Sequence, residues 1–513
     1  MSGCCGEPRR GCPRAVAWVV FVLLLGVLFT LYHLLGGVFN KVAAVTLIVL
    51  IFVAVIYVVA VPWLRQCFCV QSTWYHMEEN AHPLTPELLA SATATAADDS
   101  EAEAEAGGYR PPPTNKTTRR LYYLDNIKSG LTVVVVLHHT LCTFVGSGWV
   151  VGLASYNNPG MQVFGNTVLA LNQSYFMCLF FFISAYFTPS SLDRKGVAVF
   201  MKDKLKRLGF PFLLYVFVVG PLSDVVAQLL SGQSSTTRYV FGDVGPCWFL
   251  AWLLLFNSLY LFIGGDNVTA GRPGLGRMLV AGLLLAPVQF ATIFVVGGSF
   301  LFMPITIGSL PYDILFFTSG VVAKRNKWLD GVLPWTSTAV AGAMTVTAAA
   351  LVAGKQALDS MCVEYALASA PPQGACPGKN ATTYASTFAP SVALQAVVFG
   401  SVVVVIPYAM VSLCQRRCNA PPGRCGNFFS TTAFAVYFLH PLVLNLVTWS
   451  WVAVANTANP GMVRFVNQSL ISTSEMPLAW VWGGFLYTAC LVQLIVWPLA
   501  YAMKQLPGMR DIF

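Results

Sequence analysis

The stretch Leu124-Asp125-Asn126-Ile127-Lys128-Ser129-Gly130-Leu131-Thr132-Val133-Val134-Val135-Val136-Leu137-His138-His139 decides how the rest of the chain is read. After a polar start, an apolar run from Ile127 continues to Val151, and crossing a bilayer takes about 20 such residues. Runs of the same kind recur from Ala15 to Ala502. They are Ala15 to Leu35, Val42 to Leu64, Ile127 to Val151, Leu171 to Phe187, Pro211 to Leu230, Cys247 to Ile263, Met278 to Val296, Phe300 to Val322, Leu333 to Val352, Ser391 to Leu413, Thr431 to Ala455 and Pro477 to Ala502. Hydrophobic residues make up 56% of the 513 and charged residues only 10%, so lipid is the expected solvent. The fold class that follows is all-α, a polytopic transmembrane bundle of about 12 helices.

The net charge of +9 does not indicate nucleic acid, because the basic residues gather in short loops between apolar runs. With the N-terminus in the cytoplasm, the clusters Arg194/Lys195/Lys202/Lys204/Lys206/Arg207, Lys324/Arg325/Lys327, Arg416/Arg417/Arg424 and Lys504/Arg510 all fall on that side. The expected localisation is therefore an integral, multi-pass protein of the plasma membrane or an endomembrane, both termini cytoplasmic. The first run is too long for a signal peptide and reads as a retained anchor. Sequons at Asn380 and Asn467 face the lumenal or extracellular side; Asn172 faces it too but lies too close to the membrane to be modified. Those at Asn115 and Asn267 face the cytoplasm and stay bare.

A stretch from Glu78 to Arg120, rich in Ala, Thr, Glu and Pro, reads as a disordered cytoplasmic linker. The chain thus divides into an N-terminal transmembrane hairpin (residues 1–70), a linker (71–118) and a ten-helix core (119–513). Cys4, Cys5, Cys12, Cys67 and Cys69 lie beside the membrane on the cytoplasmic side, as S-acylation sites or as free thiols. Cys362 and Cys376 share the long lumenal loop, as a disulfide or as two thiols.

An ionisable side chain within a membrane span is expensive, which makes it a functional candidate. The candidates are His33, His138, His139, Asp224, Asp313 and His440. The His138/His139 pair carries most information because it lies deep in a run of Val, Leu and Ile. Imidazole suits proton transfer near neutral pH, although a histidine hydrogen-bonded to a neighbouring helix explains such a residue equally well. Lys128 precedes His139 by eleven residues, roughly 16 Å along a helix, so the lysine reaches the headgroups while the imidazole sits near the membrane centre. Asp125 seats the helix start and orients Lys128. Lys204 and Arg207, three apart, share a helical face as a phosphate site or as ordinary topology charge. Beside Pro441, His440 either orients His139 or the acceptor, or caps a buried contact at a helix break. Trp248 and Trp252 read as interfacial anchors, Trp248 with a possible supporting role at the site. His33, Asp224 and Asp313 have no evident role.

From Arg119 to Ala502 the chain resembles the acyltransferase-3 family of integral membrane acyltransferases, which includes bacterial O-acetylases acting on polysaccharides. A basic residue, ten intervening residues and a histidine are matched by Lys128 and His139, not by His138. An Arg-x-x-Arg motif after a Phe-Phe-Ile-Ser-Gly-Tyr-like helix end is matched by Lys204-Leu205-Lys206-Arg207 after Phe181-Phe182-Ile183-Ser184-Ala185-Tyr186. Lysine at 204 keeps the charge but loses the bidentate fork, and Ala185 stands where glycine is usual. Softer matches are Cys247-Trp248-Phe249-Leu250, Phe316-Phe317-Thr318-Ser319-Gly320 and Tyr437-Phe438-Leu439-His440-Pro441.

The resemblance implies acyl transfer, with acetyl as the expected acyl group, from acyl-CoA to a hydroxyl of a glycan, lipid or small molecule. His139 is then the base, and Lys204, Arg207 and Lys128 hold the donor. No bound cofactor or metal is expected; the partners are membrane lipid, acyl-CoA and a hydroxyl-bearing acceptor, not nucleic acid. The alternatives are a transporter of a small solute, which the lack of a visible repeat disfavours, and a receptor that retains the bundle without activity.

Overall fold

A computed structural model describes residues 121–145, 153–154, 158–230, 244–263, 269–296, 299–300, 303–304, 309–367, 381–421, 423–466, 469–472 and 476–513. The hairpin of residues 1–70, the linker of 71–118, the Cys362/Cys376 pairing and the sequons at Asn115, Asn267, Asn380 and Asn467 lie outside the described residues and side chains.

The first helix, α1, spans Tyr122–Phe144 with Asp125 in its first turn. Its hydroxyls turn inward on its own backbone: Thr132, Thr140 and Thr143 donate to the carbonyls of Lys128, Val136 and His139. Such self-contained bonding suits a segment that has no water to bond. After a two-residue strand β1 (Leu153–Ala154), α2 runs from Pro159–Lys204 and continues through a π-helical turn (Leu205–Gly209), α3 (Phe210–Leu214), a second π-helical turn (Tyr215–Val219) and α4 (Gly220–Leu230). A 3-10 turn (Gly245–Cys247) leads into α5 (Trp248–Ile263), followed by α6 (Leu275–Val296), the short strands β2 (Ser299–Phe300) and β3 (Met303–Pro304), and α7 (Leu310–Arg325). The chain continues with α8 (Trp335–Leu367), α9 (Ala381–Arg417), α10 (Arg424–Ala458), a β4/β5 hairpin (Val463–Val466, Ser469–Ser472) and α11 (Leu478–Gln505).

The architecture is an all-α membrane bundle. Among the described residues, seven helical stretches are long and apolar enough to cross a membrane. One of them, Pro159–Leu230, holds two of the expected crossings. Gly196, at φ 70° and ψ 166°, interrupts it, a backbone conformation that costs glycine least. α1 is central, packing against α2, α9, α10 and α11.

Contacts between loops fix which helix ends lie together. Asn126 donates to the Cys418 carbonyl at 2.7 Å, Arg325 pairs with Asp193, Lys206 pairs with Asp511 at 3.1 Å, Arg416 donates to the Leu333 carbonyl and Lys504 to that of Thr431. The basic clusters therefore occupy one end of the bundle, as an even number of crossings between them requires. Two hydrogen bonds that the Arg325 guanidinium donates to the Asp193 carboxylate raise it above its ordinary value, and a third to the Tyr260 hydroxyl adds to this. At the opposite end, β5 pairs parallel with β1 and antiparallel with β4, joining the segments that follow α1 and α10.

Two helix starts differ from the apolar runs. α2 begins at Pro159, twelve residues before Leu171, because Asn158 caps it by accepting from the Met161 amide at 2.9 Å. α7 begins at Leu310 rather than Phe300, since Ser309-Leu310-Pro311 starts the helix and part of the apolar stretch before it is in β2 and β3. Asn172 lies within α2, so its sequon is part of a helix. Gly320 lets α7 approach α2 closely: a Cβ there would sit 2.4 Å from the Phe182 carbonyl oxygen.

Candidate active site

Because α1 is an unbroken helix from Tyr122 to Phe144, Lys128 and His139 keep their eleven-residue separation along one rod. Lys128 pairs with Asp125 at 2.8 Å and lies 5.4 Å from the centre of the Phe187 ring. The two neighbouring histidines of α1 diverge. His138 is 6% exposed, packs against Phe176 at 5.1 Å, and its Nδ1 has no hydrogen-bond partner among the described residues. His139 is only partly buried and turns toward α10, where its Nδ1 lies 2.8 Å from Nε2 of His440. The two rings are nearly parallel, 10° apart, with centroids 4.9 Å apart.

The reason His440 can serve His139 lies one residue further on. Proline has no amide hydrogen, so Pro441 cannot bond the carbonyl four residues before it, that of Tyr437. α10 nevertheless runs unbroken from Arg424 to Ala458 through Pro441, so the expected helix break is absent. The Tyr437 carbonyl instead lies 2.7 Å from Nδ1 of His440, with the Val436 carbonyl as a second acceptor nearby. Carbonyl oxygens only accept, so Nδ1 of His440 carries the hydrogen and donates it. In a neutral ring Nε2 of His440 must then accept, which makes Nδ1 of His139 the donor. The lone pair of His139 is thereby assigned to Nε2. A chain of acceptor-only carbonyl, His440 and His139 thus sets one tautomer at the only one of the three imidazoles that is not fully buried.

The aromatic motifs assemble around this pair. The Tyr437 hydroxyl donates to the Pro246 carbonyl, immediately before Cys247-Trp248-Phe249-Leu250. Phe249 lies edge-on to Tyr437 at 6.2 Å and against Phe181 at 4.7 Å, while Phe256 bridges Phe181 and Phe317 at 5.2 and 5.3 Å. Trp248 and Trp252, expected at an interface, are each 5% exposed and belong to the core. Their placement follows from α5 packing inside the bundle against α2 and the π-helical turn after it.

Lys204 is half-buried at the basic end with its ammonium 5.1 Å from the Phe200 ring centre, within electrostatic reach of Arg207 and Lys195. Arg207 is exposed in the π-helical turn, so the expected α-helical register between 204 and 207 is altered. Lys504 of α11 faces Arg207 and Arg510, enlarging the patch. Sequence reasoning missed Lys504 and Arg510 as neighbours of this patch, since nothing in linear spacing brings the last helix beside residue 207. Asp313, buried at 2%, accepts from the Cys178 thiol at 3.3 Å and stands apart from the histidine pair.

The acyltransferase-domain family profile matches residues 121–497. The chain belongs to the acyltransferase-3 family. It is an integral membrane acyltransferase, and the matched region runs from the start of α1 to within α11. Searches of curated proteins and of solved structures return no match. The Lys128/His139 spacing, the 204–207 turn and the Tyr437-x-x-His440-Pro441 ending all lie inside the matched region.

Proposed function

We propose that the protein moves an acyl group, acetyl in the simplest case, from acyl-CoA to a hydroxyl of a glycan, lipid or small molecule. The observation that carries this reading is the hydrogen-bonded chain from the Tyr437 carbonyl through His440 to His139, which prepares Nε2 of His139 to accept a proton. General-base catalysis by a positioned imidazole contributes about 10²–10⁴ in rate.

In the reaction, the acceptor O–H gives its proton to Nε2 of His139 as its oxygen forms a bond to the thioester carbonyl carbon. The C–S bond breaks, and the departing thiolate takes the proton back from the imidazolium. During the charged interval Nδ1–H of His139 remains bonded to His440, which steadies the ring. Lys204 and Arg207 supply positive charge for the donor phosphates at the basic end, and Lys128, held by Asp125, extends that charge along α1. Lysine at 204 binds phosphate as a point charge, so donor selectivity rests more on Arg207.

Membranes carrying the protein, incubated with labelled acyl-CoA and candidate hydroxyl acceptors, test the reading against solute uptake by the same vesicles. The expected result is ester formation that requires His139, without solute accumulation. Uptake without ester formation would overturn it.

A further inference from the structure

A cavity of about 200 Å³ opens between α2, α6, α7 and α9. Its walls are almost entirely apolar, with Phe182, Phe316, Trp328 and Tyr408 among them; Arg272 joins the lining from the segment before α6 and Arg277 from the first turn of α6. Neither His139 nor His440, and none of the residues assigned to the donor, lines it.

The cavity lies at the basic end of the bundle. Arg272 donates to the Gly331 carbonyl at 3.3 Å, and the Trp328 indole donates to the Ala270 carbonyl at 2.8 Å, in the same loop region as the Arg325–Asp193 pair. Both arginines are exposed, and among the described residues neither pairs with a carboxylate. Apolar walls of this extent favour hydrocarbon over water. Two exposed guanidinium groups at its edge, at the basic end of the bundle, favour an anion. A ligand that satisfies both halves has an acyl chain and a phosphate.

We infer that this cavity binds an anionic glycerophospholipid of the adjoining leaflet, one acyl chain inserted between α6, α7 and α9 and its headgroup held by Arg272 and Arg277. The occupant is a bound lipid rather than the acyl donor, because the cavity lining includes neither histidine of the pair nor the cations at 128, 204 and 207. The site couples the packing of α6, α7 and α9 to the charge of the surrounding membrane.

The test uses the full-length protein reconstituted in vesicles containing phosphatidylserine with a photoactivatable group in its acyl chain, and in parallel vesicles with the matching phosphatidylcholine. Mapping of the cross-links by mass spectrometry should place the serine-lipid label on cavity-facing peptides of α6, α7 and α9, well above the choline-lipid label. The double substitution Arg272→Gln/Arg277→Gln should lower serine-lipid labelling there by about thirtyfold, as expected when two cations near a membrane surface are lost. Ala281→Trp, which fills the cavity, should abolish labelling by both lipids. Because the map of the unmodified protein is itself decisive, misfolding of a variant does not remove the test. Label spread evenly over lipid-facing helices, or a cavity signal unchanged by the double substitution, would overturn the inference. So would complete displacement of the lipid by inorganic phosphate, which would mark a site for the free anion.

Discussion

Pro441→Ala separates the proposed role of the Tyr437 carbonyl from ordinary helix mechanics. The substitution supplies an amide hydrogen at 441 whose helical acceptor is the Tyr437 carbonyl, the oxygen now 2.7 Å from Nδ1 of His440. A proline inside a water-exposed helix costs about 3 kcal/mol, less where membrane neighbours re-satisfy the backbone, so the alanine variant should melt at a higher temperature. Catalysis should move the other way. A typical internal hydrogen bond is worth about 0.5–1.5 kcal/mol, and weakening the one that fixes the His440 tautomer should reduce kcat by about two- to thirteenfold. The carbonyl has two lone pairs and can accept from both donors, which keeps the loss partial. The assay is turnover of labelled acetyl-CoA by purified protein, with Tm measured on the same preparation. A higher Tm with lower kcat and an unchanged donor KM is the expected outcome. Wild-type kcat in the stabilised variant would refute the assignment of the tautomer to the proline-freed carbonyl.

Other substitutions probe the remaining parts. His440→Leu removes the acceptor for His139 and should lower kcat by about 10²-fold or more, while His440→Gln, which restores an acceptor oxygen, should recover part of the rate; equal rates in the two variants would count against the relay. Lys204→Gln with Arg207→Gln should raise the donor KM at least about tenfold and leave the acceptor KM unchanged, since a charge-assisted hydrogen bond is worth about 1.5–3 kcal/mol; an unchanged donor KM would reduce these cations to topology signals. Gly320→Leu forces a side chain against the Phe182 carbonyl, so a lower Tm is expected, with a cost of about 1–3 kcal/mol from overpacking. A melting temperature equal to that of the wild type would show that α7 and α2 do not pack so closely.

The bundle was legible because an apolar run long enough to cross lipid has few other uses, and all ten runs after the linker lie wholly or partly in helices. Their ends were less legible. Asn158-Pro159 and Ser309-Leu310-Pro311 are local start signals, yet the apolar content of the neighbouring residues masked them. The His139 and His440 pairing depends on α10 lying beside α1, a contact 301 residues apart in sequence that spacing alone cannot express. The proline that frees the Tyr437 carbonyl was visible as part of a motif, but its consequence needs the helix to continue through it. The two tryptophans show the reverse error: amphipathic rings suggest an interface, and tertiary packing buried them instead.

The most direct measurement of the central claim is acyl transfer by purified His139→Ala protein that still binds labelled acyl-CoA. The account predicts transfer reduced by about 10²–10⁴ with donor binding retained. Wild-type turnover in that variant would contradict it.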